Sequence, residues 1–188
     1  MLQLQFQPFP EIKTERLLLR RIGISDASNL FQFRTDEDVM AYIDRERPKD
    51  ISEIESLIGL INEGIEKGAS ITWGICYPEM PGTLIGTIGY WQILHQHYRA
   101  EIGYMLQRTH WRKGLMHEAL GAVIRFGFDS MHLHSIEAHI NPANEASGAL
   151  LEKNGFVREG YFKEDYFFRG RFLDTAIYSL LSDKGHIL

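Results

Sequence analysis

The stretch 99–140 limits the fold of this chain more than any other. Arg99–Gln107 reads as a strand, a helix begins near Gly114, and His134–Ile140 alternates apolar and polar residues as a second strand. Strand, helix and strand in that order call for a parallel pair, because the helix carries the chain back to the end of the sheet where it started. The neighbouring strands are spaced too closely for such a crossover. Pro78, Pro81 and Gly82 separate Ser70–Tyr77 from Thr83–Ile93, and His95-Gln-His-Tyr98 separates Thr83–Ile93 from Arg99–Gln107. Strands spaced in this way pair as hairpins. The expectation is a mixed α/β domain with one parallel pair inside an otherwise antiparallel sheet.

The remaining elements fit around that unit. Residues 1–12, with Pro8 and Pro10, read as an extended lead-in, and Thr14–Ile22 as a strand. Ser25-Asp26 gives a helix N-cap signal, followed by helical Leu30, Phe33 and Arg34, and a further short turn of helix starts within Asp36–Tyr42. Residues 44–50 form a charged loop. Asp50 or Ser52 opens a helix that runs to about Lys67, with Ile54, Leu57, Ile58, Ile61 and Ile65 on one face and Gly68 as its stop. Leu115, Ala119, Ala122, Val123 and Phe126 share a face of the helix that begins at Gly114. Asn144–Lys153 is a helix closed by Asn154-Gly155. Phe156–Phe162 and Phe172–Leu181 are strands joined by a loop containing Arg169-Gly170. No repeat or linker breaks the pattern, so residues 1–188 are expected to form one domain with its core at about 13–181.

Composition excludes several classes. Lys and Arg number 20 against 25 Asp and Glu, a net charge of −5, so direct nucleic-acid binding is not expected. Cys76 is the only cysteine, which rules out an internal disulfide and suits a cytoplasmic protein. No apolar run reaches the roughly 18 residues of a membrane helix, and the N-terminal stretch lacks the basic start and apolar core of a signal peptide.

The chemistry concentrates where the strand at 99–107 runs through Arg112-Lys113-Gly114 into the helix. The first amides of a helix have no internal partners and, with the dipole, form a site for phosphate. Gly114 allows close backbone approach, and Arg112 and Lys113 add charge. A nucleotide pyrophosphate would fit such a site. An ordinary strand–loop–helix with an exposed basic turn would read the same way. No G-x-x-x-x-G-K-[ST] and no G-x-G-x-x-G is present, so the P-loop and dinucleotide folds are disfavoured.

This segment resembles the acyl-CoA loop of the GNAT (GCN5-related) N-acetyltransferases. Their Gln/Arg-x-x-Gly-x-Gly/Ala pattern falls on Trp111 to Met116, where Gly114 matches and Trp111 and Met116 depart from it. Thr14-Glu-Arg-Leu-Leu-Leu-Arg20 with Asp26, Ala100-Glu-Ile-Gly-Tyr104, Asn144-Glu-Ala-Ser147, Glu152-Lys-Asn-Gly-Phe156 and Tyr178-Ser-Leu-Leu181 are similar, in order, to the ribosomal-protein N-terminal alanine/serine acetyltransferase branch. The resemblance implies the GNAT fold, a central and mostly antiparallel twisted sheet with one parallel strand pair and helices on both faces. It also implies acetyl-CoA as co-substrate and transfer of acetyl by direct attack of a primary amine in a ternary complex. The acceptor it implies is a protein N-terminus such as that of a ribosomal protein. A small amine (polyamine, amino acid or antibiotic) and a non-catalytic acyl-CoA-binding module remain the alternatives.

Roles follow from the same resemblance. Glu101 is the expected general base and Ser147 the expected partner of the leaving thiolate, since Leu151 stands where many relatives carry a tyrosine acid. The backbone amides of Met105 and Leu106 are expected at the thioester and pantetheine. Arg112, Lys113, Gly114, Leu115, Met116 and His117 are expected at the pyrophosphate, and Asn144 at the CoA arm, with plain helix capping as its other reading. Cys76 is read as a small buried hydrophobe rather than a nucleophile. His95/His97 and His132/His134 lack a carboxylate or cysteine to complete a metal set, so no metal is expected. Either a monomer or a homodimer formed through an exposed final strand is compatible with the sequence.

Overall fold

The computed structural model describes residues 1–183, so the last five residues of the expected 1–188 domain lie outside the described residues. Its strands are β1 (Ile12–Lys13), β2 (Leu18–Arg21), β3 (Ile71–Cys76), β4 (Gly86–Leu94), β5 (Arg99–Leu106), β6 (Ser135–Ile140), β7 (Val157–Phe168) and β8 (Arg171–Leu181). They form one sheet in the order β1-β2-β3-β4-β5-β6-β8-β7. Only β5 and β6 run parallel, joined by the crossover helix; every other neighbouring pair is antiparallel.

The helices are α1 (Ala27–Thr35), α2 (Glu37–Met40), α3 (Ile51–Glu66), α4 (Leu115–Asp129) and α5 (Glu145–Lys153). Because side chains alternate across a strand, the sheet has two apolar faces to cover. On one face Leu30 and Phe33 of α1 and Ile54 and Ile58 of α3 pack with Ile22 and Leu84. On the other, Leu115, Ala119, Leu120 and Val123 of α4 pack against Ile71, Trp73, Ile75, Ile88, Tyr90 and Ile102. Phe126 meets Trp73 edge to face at 5.2 Å. Asp50 caps α3 through the Ser52 and Glu53 amides, and Gly68 leaves the helix with φ +64, as the sequence predicts.

Three local expectations change. The strand expected over Thr14–Ile22 is confined to Leu18–Arg21, because Thr14 and Leu17 close a turn through their backbones and the Thr14 hydroxyl. Asp26 does not cap α1. Its carboxylate instead takes two bonds from the Arg20 guanidinium, at 2.7 and 2.8 Å, and one from the Gly23 amide. The loop expected between Phe162 and Phe172 shrinks to Arg169-Gly170. Both residues have positive φ, 47° and 82°, the geometry of a two-residue hairpin turn that matches strand twist. β7 therefore runs on to Phe168 and the β7–β8 ribbon projects with Tyr166, Phe167 and Phe172 exposed.

The Arg20–Asp26 pair is the sharpest energetic feature of the N-terminal half. Asp26 is 1% exposed. Removing one partner of a buried ion pair strands the other charge and typically costs about 3–5 kcal/mol. Asp26→Ala is expected to lower the unfolding free energy by about that amount in urea titrations.

Candidate functional site

β5 is held by β4 over its full length but by β6 only at Arg99, Ala100 and Glu101, opposite Ser135, Ile136 and Glu137. Beyond Glu101 the two strands separate, since β6 continues along β8 as far as Ile140 while β5 stays with β4. The wedge between them is the centre of the site. Gly103 is exposed although it lies in a central strand, so the sheet is open there. Trp91, cross-strand from Glu101, leans over it, with its indole nitrogen 3.5 Å from where a Cβ on Gly103 would stand.

Glu101 sits where the wedge begins and is 4% exposed. Its neighbour in the parallel register is Glu137, and His139 lies two residues further along β6. His139 Nδ1 is 3.9 Å from Glu101 Oε2, and its Nε2 is 3.7 Å from Glu137 Oε1. Burial first, and then the Glu137 charge, push the Glu101 carboxyl up to about 7, and Arg45 opposes them. Glu101, Glu137 and His139 are the one group of metal-type ligands among the described residues. Neither His95/His97 nor His132/His134 belongs to it.

The opposite face of the wedge carries Ser147 and Tyr104, a residue with no role expected from sequence. Ser147 is buried in the first turn of α5, and its hydroxyl is 2.7 Å from the Tyr104 hydroxyl. Burial raises the Tyr104 phenol to about 12, with the Ser147 bond working against the rise. Tyr104 was present in the Ala100–Tyr104 motif, but only the strand separation shows that its hydroxyl reaches α5. Asn144 caps α5, accepting the Ser147 amide at 3.2 Å.

The backbone of β5 is divided by its own periodicity. The Gln107 amide bonds to Ile85 on the β4 side, so by the period of two the Met105 amide also turns toward β4, whereas those of Tyr104 and Leu106 turn to the wedge. Of the two amides expected at the thioester, Leu106 supplies one that faces the opening. The Leu106 carbonyl takes the Trp111 indole N–H at 2.7 Å. Trp111, a departure from the family pattern, thus ties the start of the loop to the end of β5.

Arg112 (φ +59) and Gly114 (φ +73) turn the loop through two left-handed positions into α4. No side chain caps this helix, so the amides of Leu115, Met116 and His117 stay free of helix partners. Arg112, Lys113 and Gly114 are exposed. In the first turn, His117 Nδ1 is shielded from solvent with no hydrogen-bond partner among the described residues. The loop is braced from behind. Arg16 Nε donates to Glu118 at 2.6 Å and Arg16 Nη1 to the Lys113 carbonyl at 3.0 Å, while the Arg16 amide and the Thr14 hydroxyl bind the same carboxylate. This brace gives the Thr14–Arg20 segment, similar to the family's opening motif, a physical purpose. Uncapped amides, a left-handed glycine and two free cations fit a pyrophosphate arm.

Cys76 is fully buried in β3, and its thiol donates to the Leu18 carbonyl. Burial pushes that thiol up, the opposite of an activated nucleophile.

Comparison with known proteins places the chain in company. Residues 16–157 match the family model described as the acetyltransferase (GNAT) domain. The uncharacterized N-acetyltransferase YoaA of Bacillus subtilis is 35% identical over 178 residues, covering 94% of this chain and 99% of that protein. A ribosomal protein uS5-alanine N-acetyltransferase of Escherichia coli is 29% identical over 92% of this chain and 91% of its own. The crystal structure of spermidine N-acetyltransferase from Vibrio cholerae in complex with CoA and spermine superposes with a TM-score of 0.80 at 25% identity, covering 92% of this chain and 98% of that one.

The buried carboxylate predicts a pH-dependent stability. A carboxyl whose folded value lies above its unfolded one stabilises the fold, relative to an ordinary glutamate, only while protonated; that stability is lost as pH rises through about 7. Glu101→Gln removes the ionisation. It should match the parent near pH 4.5 and exceed it at pH 8 by up to about 3 kcal/mol. Chemical unfolding at the two pH values measures the difference.

Proposed function

The chain belongs to the GNAT acetyltransferase family, and we propose that it moves acetyl from acetyl-CoA to the α-amine of a protein N-terminus. Membership makes it an N-acetyltransferase with acetyl-CoA as co-substrate. The acceptor is our own reading, and one observation carries it: Glu101, buried where the β5–β6 wedge begins, with its carboxyl pushed to about 7. An α-ammonium ionises near 7.7–8.0 and an alkylammonium near 10.4. Passing a proton to Glu101 therefore costs about 1 kcal/mol from an α-amine and about 5 kcal/mol from an alkylamine. The base is matched to an N-terminus.

Acetyl-CoA supplies the acyl group as a thioester; the residues of this chain do the remaining work. The amides of Leu115, Met116 and His117, with Gly114, Arg112 and Lys113, hold the pyrophosphate, and Asn144 stands by the CoA arm. The Leu106 amide donates in the wedge, where the carbonyl oxygen gains charge, and the Met105 side chain forms pocket wall. Glu101 takes the proton that the ammonium must lose before its nitrogen can attack, and His139 passes it on to solvent; the second proton, shed as the nitrogen bonds to the acyl carbon, leaves by the same route. Ser147, backed by Tyr104, donates a hydrogen bond to the sulfur as the C–S bond breaks. A phenol raised to about 12 keeps its proton against a thiolate near 8.5, so the pair steadies the leaving group and bulk solvent completes its protonation. Transfer is direct, and Cys76 takes no part.

Two experiments test this. Glu101→Gln should lower kcat on an N-terminal peptide by about 10²–10⁴-fold while leaving CoA affinity nearly unchanged. The parent kcat should rise through about pH 7 as Glu101 loses its proton, and the variant should lack that limb. Near-normal kcat in the variant would return Glu101 to a structural role. Gly114→Pro removes an amide and imposes φ near −65° where the chain needs +73°. CoA affinity should fall at least tenfold, and an unchanged affinity in the folded variant would sink the loop assignment.

A further inference from the structure

Arg34, near the end of α1, is half-buried, and among the described residues it is the one arginine that is neither exposed nor in an ion pair. Its Nε is buried with no hydrogen-bond partner, and no carboxylate pairs with it; every other arginine is either paired or exposed. Burial first, and then repulsion from a second cation, Arg45, act to lower the Arg34 guanidinium. A partly desolvated guanidinium repelled by a second cation is unfavourable unless an anion joins them.

Arg45 is held in place. Its guanidinium lies 5.2 Å from the centre of the Trp91 ring, the same ring that leans over exposed Gly103. The segment that carries it is fastened from the β7–β8 ribbon on both sides of Arg45, by Tyr166 on the Asp44 carbonyl at 3.1 Å and by Arg169 on Glu46 at 2.8 Å. Arg45 also lies close enough to Glu101 for their charges to interact. Two cations that repel each other, neither in an ion pair among the described residues, are thus linked through Arg45 to the open face on which Glu101 waits for an amine.

We infer that Arg34 and Arg45 form an anion pocket in the acceptor site, and that the acceptor is a primary amine carrying a carboxylate. The inference rests on the reading of the Glu101 wedge as the acceptor site. A guanidinium fork binds a carboxylate through two parallel hydrogen bonds, so the pocket fixes both the distance and the direction in which the amine meets Glu101. On the N-terminal reading the carboxylate belongs to an acidic residue near a peptide N-terminus; a free α-amino acid offers the same chemistry, and the test separates the two. A polyamine, cationic along its length, is repelled by both arginines.

The test uses acceptors matched in their amine. An α-amino acid is compared with its amide, and an N-terminal Ala-Glu peptide with Ala-Gln, alongside spermidine. Thiol release from acetyl-CoA gives kcat/KM, and thermal shift without acetyl-CoA reports binding. The carboxylate member of at least one pair should be preferred at least tenfold, mainly through KM. That preference should fall below threefold in Arg34→Met and in Arg45→Met. Arg34→Met removes an uncompensated charge and so should fold, and the exposed Arg45 provides an independent variant. Preference within the amino-acid pair identifies an α-carboxylate, and preference within the peptide pair an acidic side chain. Acetylation without preference, equal use of spermidine, or a preference that survives both substitutions overturns the inference and leaves the acetyl-transfer reading standing. Arg34-dependent stabilisation by the carboxylate compound with no amine acetylated would uphold the pocket and defeat the transfer reading. Neither binding nor turnover would defeat both.

Discussion

Everything distinctive in this molecule follows from two neighbouring strands that cannot stay together. The α4 crossover forces β5 and β6 parallel, and they pair over only three residues before β4 draws one away and β8 the other. Past that point the inner edge of β5 has backbone groups with no strand to bind. A buried sheet does not normally tolerate such groups; here they face an opening wide enough to leave Gly103 exposed in the middle of a strand. The last paired residue, Glu101, inherits a contradictory position, with protein on one side and the opening on the other.

That position sets its acidity. In-register parallel pairing brings Glu137 alongside it, so burial and like charge act in the same direction. The arrangement strains the fold at neutral pH and provides a base of useful strength at the same pH. Three residues on, the alternation of the strand turns Tyr104 to the other face, where burial keeps its phenol protonated against Ser147. One short strand thus holds a carboxylate on one face and a hydroxyl donor on the other, the division of acid and base roles that the proposed mechanism uses.

The loop that follows β5 depends on a second long-range constraint. An uncapped helix start with two left-handed residues before it is poorly determined by local forces. Thr14 and Arg16, about a hundred residues earlier, grip Glu118 in the first turn, and Arg16 also holds the Lys113 carbonyl. A carboxylate in a first turn is favourable to the helix dipole, so the brace supports the helix without occupying the amides that face outward.

Periodicity and turn residues made the order of elements legible in the sequence alone. The parallel pair, the faces of α3 and α4, the Asp50 cap and the Gly68 stop depend on contacts within a few residues, which spacing reports directly. The resemblance singled out Glu101, Gly114, Asn144 and Ser147 from motifs alone. What spacing cannot report is which side chains from distant segments meet. Asp26 carries a cap signal, yet Arg20 across the turn claims it. Tyr104 looks like one more aromatic residue of the core until α5 brings Ser147 to it, and His139 gains its place only when β6 lies beside Glu101. The amides of Met105 and Leu106 are equivalent in sequence; the side on which β4 lies separates them. Arg34 reads as an ordinary helical arginine, and its isolation becomes visible only once the fold has enclosed its Nε without a partner. Local hydrogen bonding and apolar period are written residue by residue, whereas burial and charge pairing belong to the assembled sheet.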